Sequence, residues 1–156
     1  MGTGLTWILL GLLALMLLAA SWWDLRTRTI PNQLNLAIAL LAIPFWWASG
    51  LGPWPDVALQ VGVAALVFGL FTLAFALGAM GGGDVKLVAA IALWLPWQAV
   101  LGLLVIMSLA GGALTLAMAI RHRLARNEGK LEIPYGVAIA FGGMWLISER
   151  FLYQFG

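Results

Sequence analysis

Apolar residues run through this chain in long blocks, and polar ones gather in short clusters between them. A helix that crosses the hydrocarbon core of a membrane needs about 20 apolar residues. The blocks predict six helical segments, at 4–22, 34–49, 57–80, 85–96, 98–120 and 135–153. The breaks fall where turn residues or charges collect: Asp24 to Asn32, Gly50 to Asp56, Gly81 to Asp84, Pro96-Trp97, and Arg121 to Pro134. No linker or low-complexity tract interrupts the series, so residues 1–156 read as one transmembrane domain. The fourth segment is short. Val85 to Leu95 makes a helix of about 17 Å, against a core of about 30 Å. Either the Pro96-Trp97 turn dips in from outside or the Gly81–Asp84 turn dips in from the cytoplasm. The second alternative draws Asp84 below the membrane surface, where non-helical backbone must line protein or a water cavity.

Composition turns this pattern into a class. Of 156 residues, 63% are hydrophobic and 9% charged, against about 45–50% and about 25% in ordinary soluble domains. The expected fold is an all-α integral membrane protein of about six transmembrane helices. The net charge of +2 comes from scattered groups and forms no long basic face, which speaks against nucleic acid as a partner. With no cysteine and His122 as the single histidine, disulfides, thiol nucleophiles and Cys- or His-rich metal sites are not expected. The first segment lacks a positive n-region and runs into a tryptophan pair and a charged loop, as a retained span does rather than a cleaved signal.

Charge then orients the chain. Arg26 and Arg28, Lys86, and Arg121, Arg123, Arg126 and Lys130 fall in alternate loops. Six spans put those loops on one side, and the positive-inside rule makes that side cytoplasmic, with both termini periplasmic. Trp22, Trp23, Trp46, Trp47, Trp94 and Trp97 fall near segment ends and read as interfacial anchors. The Arg121–Lys130 cluster fixes topology or meets anionic lipid.

Two acids carry the candidate chemistry. Asp24 closes the first segment, and Asp84 follows Gly81-Gly82-Gly83 at the start of the fourth. In this topology both lie at the cytoplasmic edge, at one depth. Two close carboxyls share a proton, so one can activate water while the other protonates a carbonyl oxygen. The glycines remove side chains where an extended backbone must approach. Helix ends cast Asp84 as the base and Asp24 as the first proton donor. Plainer readings exist for each residue alone: Asp84 as a helix cap, and Asp24 as an interface residue paired with Arg26 or Arg28. A proton relay in a small transporter uses the same acids, but nearer mid-span and with an internal repeat.

The flanking residues narrow the choice. Asp24 is followed by Arg26, Arg28 and Ile30-Pro31-Asn32; Gly81-Gly82-Gly83-Asp84-Val85-Lys86 is a G-x-G-D run with lysine two positions on; and Ile133-Pro134-Tyr135-Gly136 opens the last segment. In this order, over nearly the whole chain, these elements resemble the type IV prepilin peptidase family. That resemblance implies an aspartic endopeptidase of the bacterial inner membrane with Asp24 and Asp84 as catalytic residues. Its implied partner is a prepilin or pseudopilin whose short basic leader is removed at the cytoplasmic face, and no cofactor or metal is implied. Gly81, Gly83, Pro31, Asn32, Pro134 and Gly136 follow as supporting or substrate-positioning residues. Lys86 joins them, either orienting Asp84 or contacting substrate, with a topology anchor as its alternative. Pro31 and Pro134 also simply start helices. Longer family members carry a Cys-x-x-Cys domain between their first two helices and N-methylate the mature pilin. This chain has a short connection there and no cysteine, so it is similar to the minimal, tight-adherence (Flp-type) branch and methyl transfer is not expected. A non-enzymatic subunit of a pilus or secretion assembly is the remaining alternative.

Overall fold

The computed structural model describes residues 4–126 and 128–155, with side chains through residue 150. Met1 to Thr3 and Gly156, the chain ends expected outside the cytoplasm, lie outside the described residues. The described residues form six α-helices and no strand: α1 Gly4–Thr27, α2 Asn32–Ala48, α3 Ala58–Ala76, α4 Gly82–Ala92, α5 Trp97–Leu124 and α6 Tyr135–Phe155. Three stretches are long and apolar enough to cross a membrane: Gly4–Thr27, Pro53–Ala76 and Trp97–Leu124. Their outward faces are apolar too. Leu15 on α1, Leu66 and Leu73 on α3 and Leu109 on α5 are all exposed, as a lipid solvent requires.

Two helix ends differ from the hydrophobic pattern in ways that matter for the acids. α1 continues five residues beyond position 22, to Thr27, so Asp24 sits inside its last turn rather than in the loop. The run after Trp23 is polar but helix-compatible; the apolar block marks where lipid ends, not where the helix does. α4 begins at Gly82, with Gly81 as N-cap in extended geometry (φ −75°, ψ 147°). Asp84 is therefore the third helical residue, and its carboxyl turns back to accept from the Gly81 N–H. It is not itself the N-cap, but its bond to Gly81 still helps close the start of the helix.

α4 is the middle of the bundle. Eleven residues long, it packs against α2, α3 and α6. Asp84, Val85, Leu87, Val88, Ala90, Ile91 and Ala92 are all buried. Four hydrogen bonds tie it and the turn that follows it to α2, which runs parallel to it. Lys86 Nζ donates to Asn32 Oδ1 (2.8 Å) and Asn35 Nδ2 to the Gly83 carbonyl (3.1 Å) at one end. Trp94 Nε1 donates to the Ile38 carbonyl (2.9 Å) and Trp46 Nε1 to the Leu93 carbonyl (2.7 Å) at the other.

Trp94 corrects the sequence reading. It is no interfacial anchor: it is 1% exposed and stacks on Phe45 with ring centroids 4.8 Å apart. Because α4 stops at Ala92, the turn that follows lies inside the bundle, and a large ring that can spend its N–H on a carbonyl fills the space. Trp22, Trp23, Trp47 and Trp97 are exposed, as anchors are.

The other contacts are uneven. α1 lies against α6 and α2, and α5 against α6, whereas α3 touches α5 only lightly. A seam is left between α3 and α5. It holds an apolar groove of about 560 Å³, walled by residues that include Phe71 and Ala74 on one side and Met107, Gly111 and Thr115 on the other.

Candidate active site

Each carboxyl is placed by the start of another helix. Asp24, 4% exposed, points from the last turn of α1 at the first turn of α6, beside the backbone N–H groups of Gly136 and Val137. Asp84, 8% exposed, lies over Gly81 at the start of α4. Both line a single cavity of about 480 Å³ with Thr27, Arg28, Thr29, Gly81, Lys130, Glu132 and Tyr135, and each lies within reach of the other's charge. Sixty positions apart in the chain, the two acids meet. The helix-end argument that would separate their roles no longer does so, because Asp24 ends one helix and faces the beginning of another.

The three short motifs interlock through Ile30. Its buried side chain and backbone fill the space between the other two elements. A Cβ at Gly83 would stand 3.3 Å from the Ile30 nitrogen and from its Cβ; one at Gly136 would stand 2.7 Å from Ile30 Cδ1 and 2.8 Å from Asp24 Oδ2. These glycines allow chain to pack on chain. Neither has a positive φ. At Gly81 a Cβ would lie 3.1 Å from Asp84 Oδ2 and crowd the carboxyl itself.

Pro31 and Pro134 directly precede the first residues of α2 and α6, and their carbonyls accept from the Asn35 and Val137 N–H groups respectively. Asn32 and Lys86 bond each other on the outside of the α2–α4 contact and line a different, largely apolar groove. They do not line the aspartate cavity.

Two residues near the acids were given no place in the site by the sequence. Asn35, 4% exposed, holds the carbonyl immediately before Asp84. A polar residue inside an apolar segment is a signal that could have found it. Arg28 entered the sequence reading as a topology charge, a motif flank and an alternative partner of Asp24, not as a site residue, yet it lines the cavity and its charge acts on Asp24. Asp24 Oδ2 and Arg28 Nη1 are both buried without a hydrogen-bond partner. Among the described residues no group of three His, Cys, Asp or Glu side chains is arranged to hold a metal ion.

Fold and cavity together define a helical membrane protein in which two buried carboxyls from distant helices face one space. Residues 11–116 match the type IV leader peptidase family, and the chain belongs to that family. It is similar to the prepilin leader peptidase/N-methyltransferases of Aeromonas salmonicida (31% identity, covering 86% of this chain and 46% of the relative) and Burkholderia pseudomallei (32%, 81% and 41%). The same holds for that of Pectobacterium carotovorum subsp. carotovorum (29%, 93% and 54%). The chain thus spans about half the length of these curated relatives. No solved structure matches it.

Proposed function

We propose that this chain is a membrane-embedded aspartic endopeptidase. It removes the short basic leader of type IV prepilins or prepilin-like proteins at the cytoplasmic face of the bacterial inner membrane. One observation carries the reading: in a chain of the type IV leader peptidase family, Asp24 and Asp84 line one cavity although sixty positions separate them.

The chemistry follows from two carboxyls sharing a proton. The ionised one takes a proton from water as the oxygen attacks the peptide carbonyl carbon, and the protonated one gives its proton to the carbonyl oxygen. The tetrahedral diol then collapses. The C–N bond breaks, and the departing nitrogen takes a proton from the pair. The reaction calls for neither a metal nor an organic cofactor. In this reading all six helices count as spans, with both termini periplasmic and the acids at the cytoplasmic edge, a topology supported by the alternate-loop placement of the basic residues. Short α4 keeps its acid inside the bundle. The substrate's apolar helix enters from lipid along the α3–α5 groove, which shares Ala79, Met80 and Tyr135 with the aspartate cavity. N-methylation is not part of the proposal.

Co-expression with a prepilin, scored for leader removal, tests it. Asp24→Asn and Asp84→Asn should each lower cleavage by roughly 10²–10⁴-fold. A relay or a passive assembly subunit predicts no leader removal by the wild-type chain, and undiminished cleavage by either variant refutes the paired-acid mechanism.

A further inference from the structure

Arg28 combines two unfavourable features in one residue. Its φ is +55°, a left-handed conformation that costs a non-glycine residue energy. Its Nη1 is buried with no hydrogen-bond partner, a cost a native protein seldom carries without reason. Outliers of this kind cluster where a ligand or a reaction uses them. The plain explanation is a left-handed residue closing the end of α1, where the Arg28 N–H still bonds to the Asp24 carbonyl (3.0 Å). Glycine does that without strain. It does not explain why a guanidinium is carried into the wall of the aspartate cavity.

The orphaned donor has an orphaned neighbour, Asp24 Oδ2, within reach of its charge. A direct pair would occupy both atoms; here Arg28 Nη1 and Asp24 Oδ2 are left without partners, while the rest of the Asp24 carboxyl faces the Gly136 and Val137 N–H groups. The ligand's chemistry follows from the lining. The cavity lining sets three acids, Asp24, Asp84 and Glu132, against two bases, Arg28 and Lys130, so a neutral oxygen suits the position better than a carboxylate. An extended peptide supplies such oxygens along its backbone. Guanidinium donors bind them as charge-assisted hydrogen bonds, stronger than neutral ones.

We propose that Arg28 is a substrate-binding residue of the aspartate cavity, its guanidinium donating to a main-chain carbonyl oxygen of the peptide beside the bond to be cut. This rests on the peptidase reading and deepens it. With that carbonyl held by Arg28, the neighbouring peptide unit is fixed relative to Asp24, and water is left as the partner for the Asp24 carboxyl.

The test uses the full chain in liposomes and a synthetic prepilin-like peptide covering the leader, the cleavage site and the start of the apolar segment. A parallel set of peptides carries single amide-to-ester replacements that weaken one carbonyl acceptor at a time. Arg28→Gly relieves the backbone strain, so its thermal unfolding should match or exceed wild type. Its kcat/KM should fall on the order of 10–100-fold, the loss expected for one charge-assisted hydrogen bond, and chiefly through KM. Arg28→Lys keeps the charge but not the fork, and should restore only part of the loss. One ester position should slow the wild-type enzyme while leaving Arg28→Gly unaffected. Arg28→Gly with wild-type kcat/KM, or an ester penalty equal in both enzymes at every position, overturns the assignment while the peptidase reading stands. If the wild-type chain gives no cleavage that depends on Asp24 and Asp84, the peptidase reading fails and the role of Arg28 falls with it.

Discussion

Gly136→Ala adds a single methyl group where the structure has no room for it. The new carbon would lie 2.8 Å from Asp24 Oδ2, 3.0 Å from its Cγ and 2.7 Å from Ile30 Cδ1. Carbon atoms pack at about 3.5–4.0 Å, so Asp24, Ile30 or the start of α6 must retreat by roughly half an ångström to an ångström. Overpacking of this kind destabilises by about 1–3 kcal/mol. In the proposed peptidase the greater effect falls on chemistry, because a displacement of about 1 Å from productive geometry costs on the order of 10²-fold in rate. The expectation is a folded protein whose kcat drops roughly 10–100-fold. The assay is leader cleavage by purified protein in liposomes, with thermal unfolding measured on the same samples. Gly62→Ala serves as control. Position 62 has open space around it, and alanine there should be neutral or stabilise α3 by about 0.5–1 kcal/mol. Wild-type turnover in Gly136→Ala would refute the view that Asp24 is held in place by the close passage of α6.

Three further outcomes follow from the contacts around α4. Asn35→Ala removes a half-buried hydrogen bond to the Gly83 carbonyl and should destabilise by about 0.5–1.5 kcal/mol, with cleavage falling as the start of α4 loosens; unchanged unfolding and activity would contradict its positioning role. Trp94→Ala should cost about 3–5 kcal/mol in unfolding measurements, as truncation of a buried aromatic does. Trp47→Ala, at an 80% exposed position, should leave the unfolding temperature nearly unchanged, and equal losses in the two variants would mean that Trp94 is not a core residue. Lys86→Met removes an exposed hydrogen bond and should change stability by less than about 1 kcal/mol.

The acids were legible because an oily chain has few of them and their flanks are distinctive. The all-helical class followed from the apolar blocks. What the blocks concealed was where helices end. Hydropathy records the boundary of lipid, and Asp24 to Thr27 continue α1 past it. That extension places Asp24 in a helical turn and leaves Arg28 to reverse the chain. Trp94 misled because nearness to a segment end looks the same in sequence whether the end is wet or buried; only the shortness of α4 decides. The close passages at Gly83 and Gly136 join segments more than fifty positions from Ile30 and have no local signature. Asn35 stayed hidden for a related reason. One amide near the start of a span looks like a boundary residue until its partner, the Gly83 carbonyl, is seen.

On the proposed peptidase reading, the seam between α3 and α5 changes what concentration means for this protein. A ligand that reaches the cavity rim at Ala79, Met80 and Tyr135 along that groove arrives dissolved in the bilayer rather than in the buffer. Its occupancy follows its mole fraction in lipid, so inhibition constants quoted in molar units should drift with the amount of membrane in the tube and converge when expressed per lipid. Each methylene added to an inhibitor tail should raise apparent potency about fourfold through partitioning alone, from about 0.8 kcal/mol per group. Detergent tails have the same apolar shape. A micelle is therefore a competitor as well as a solvent, and turnover should rise on transfer to a bilayer.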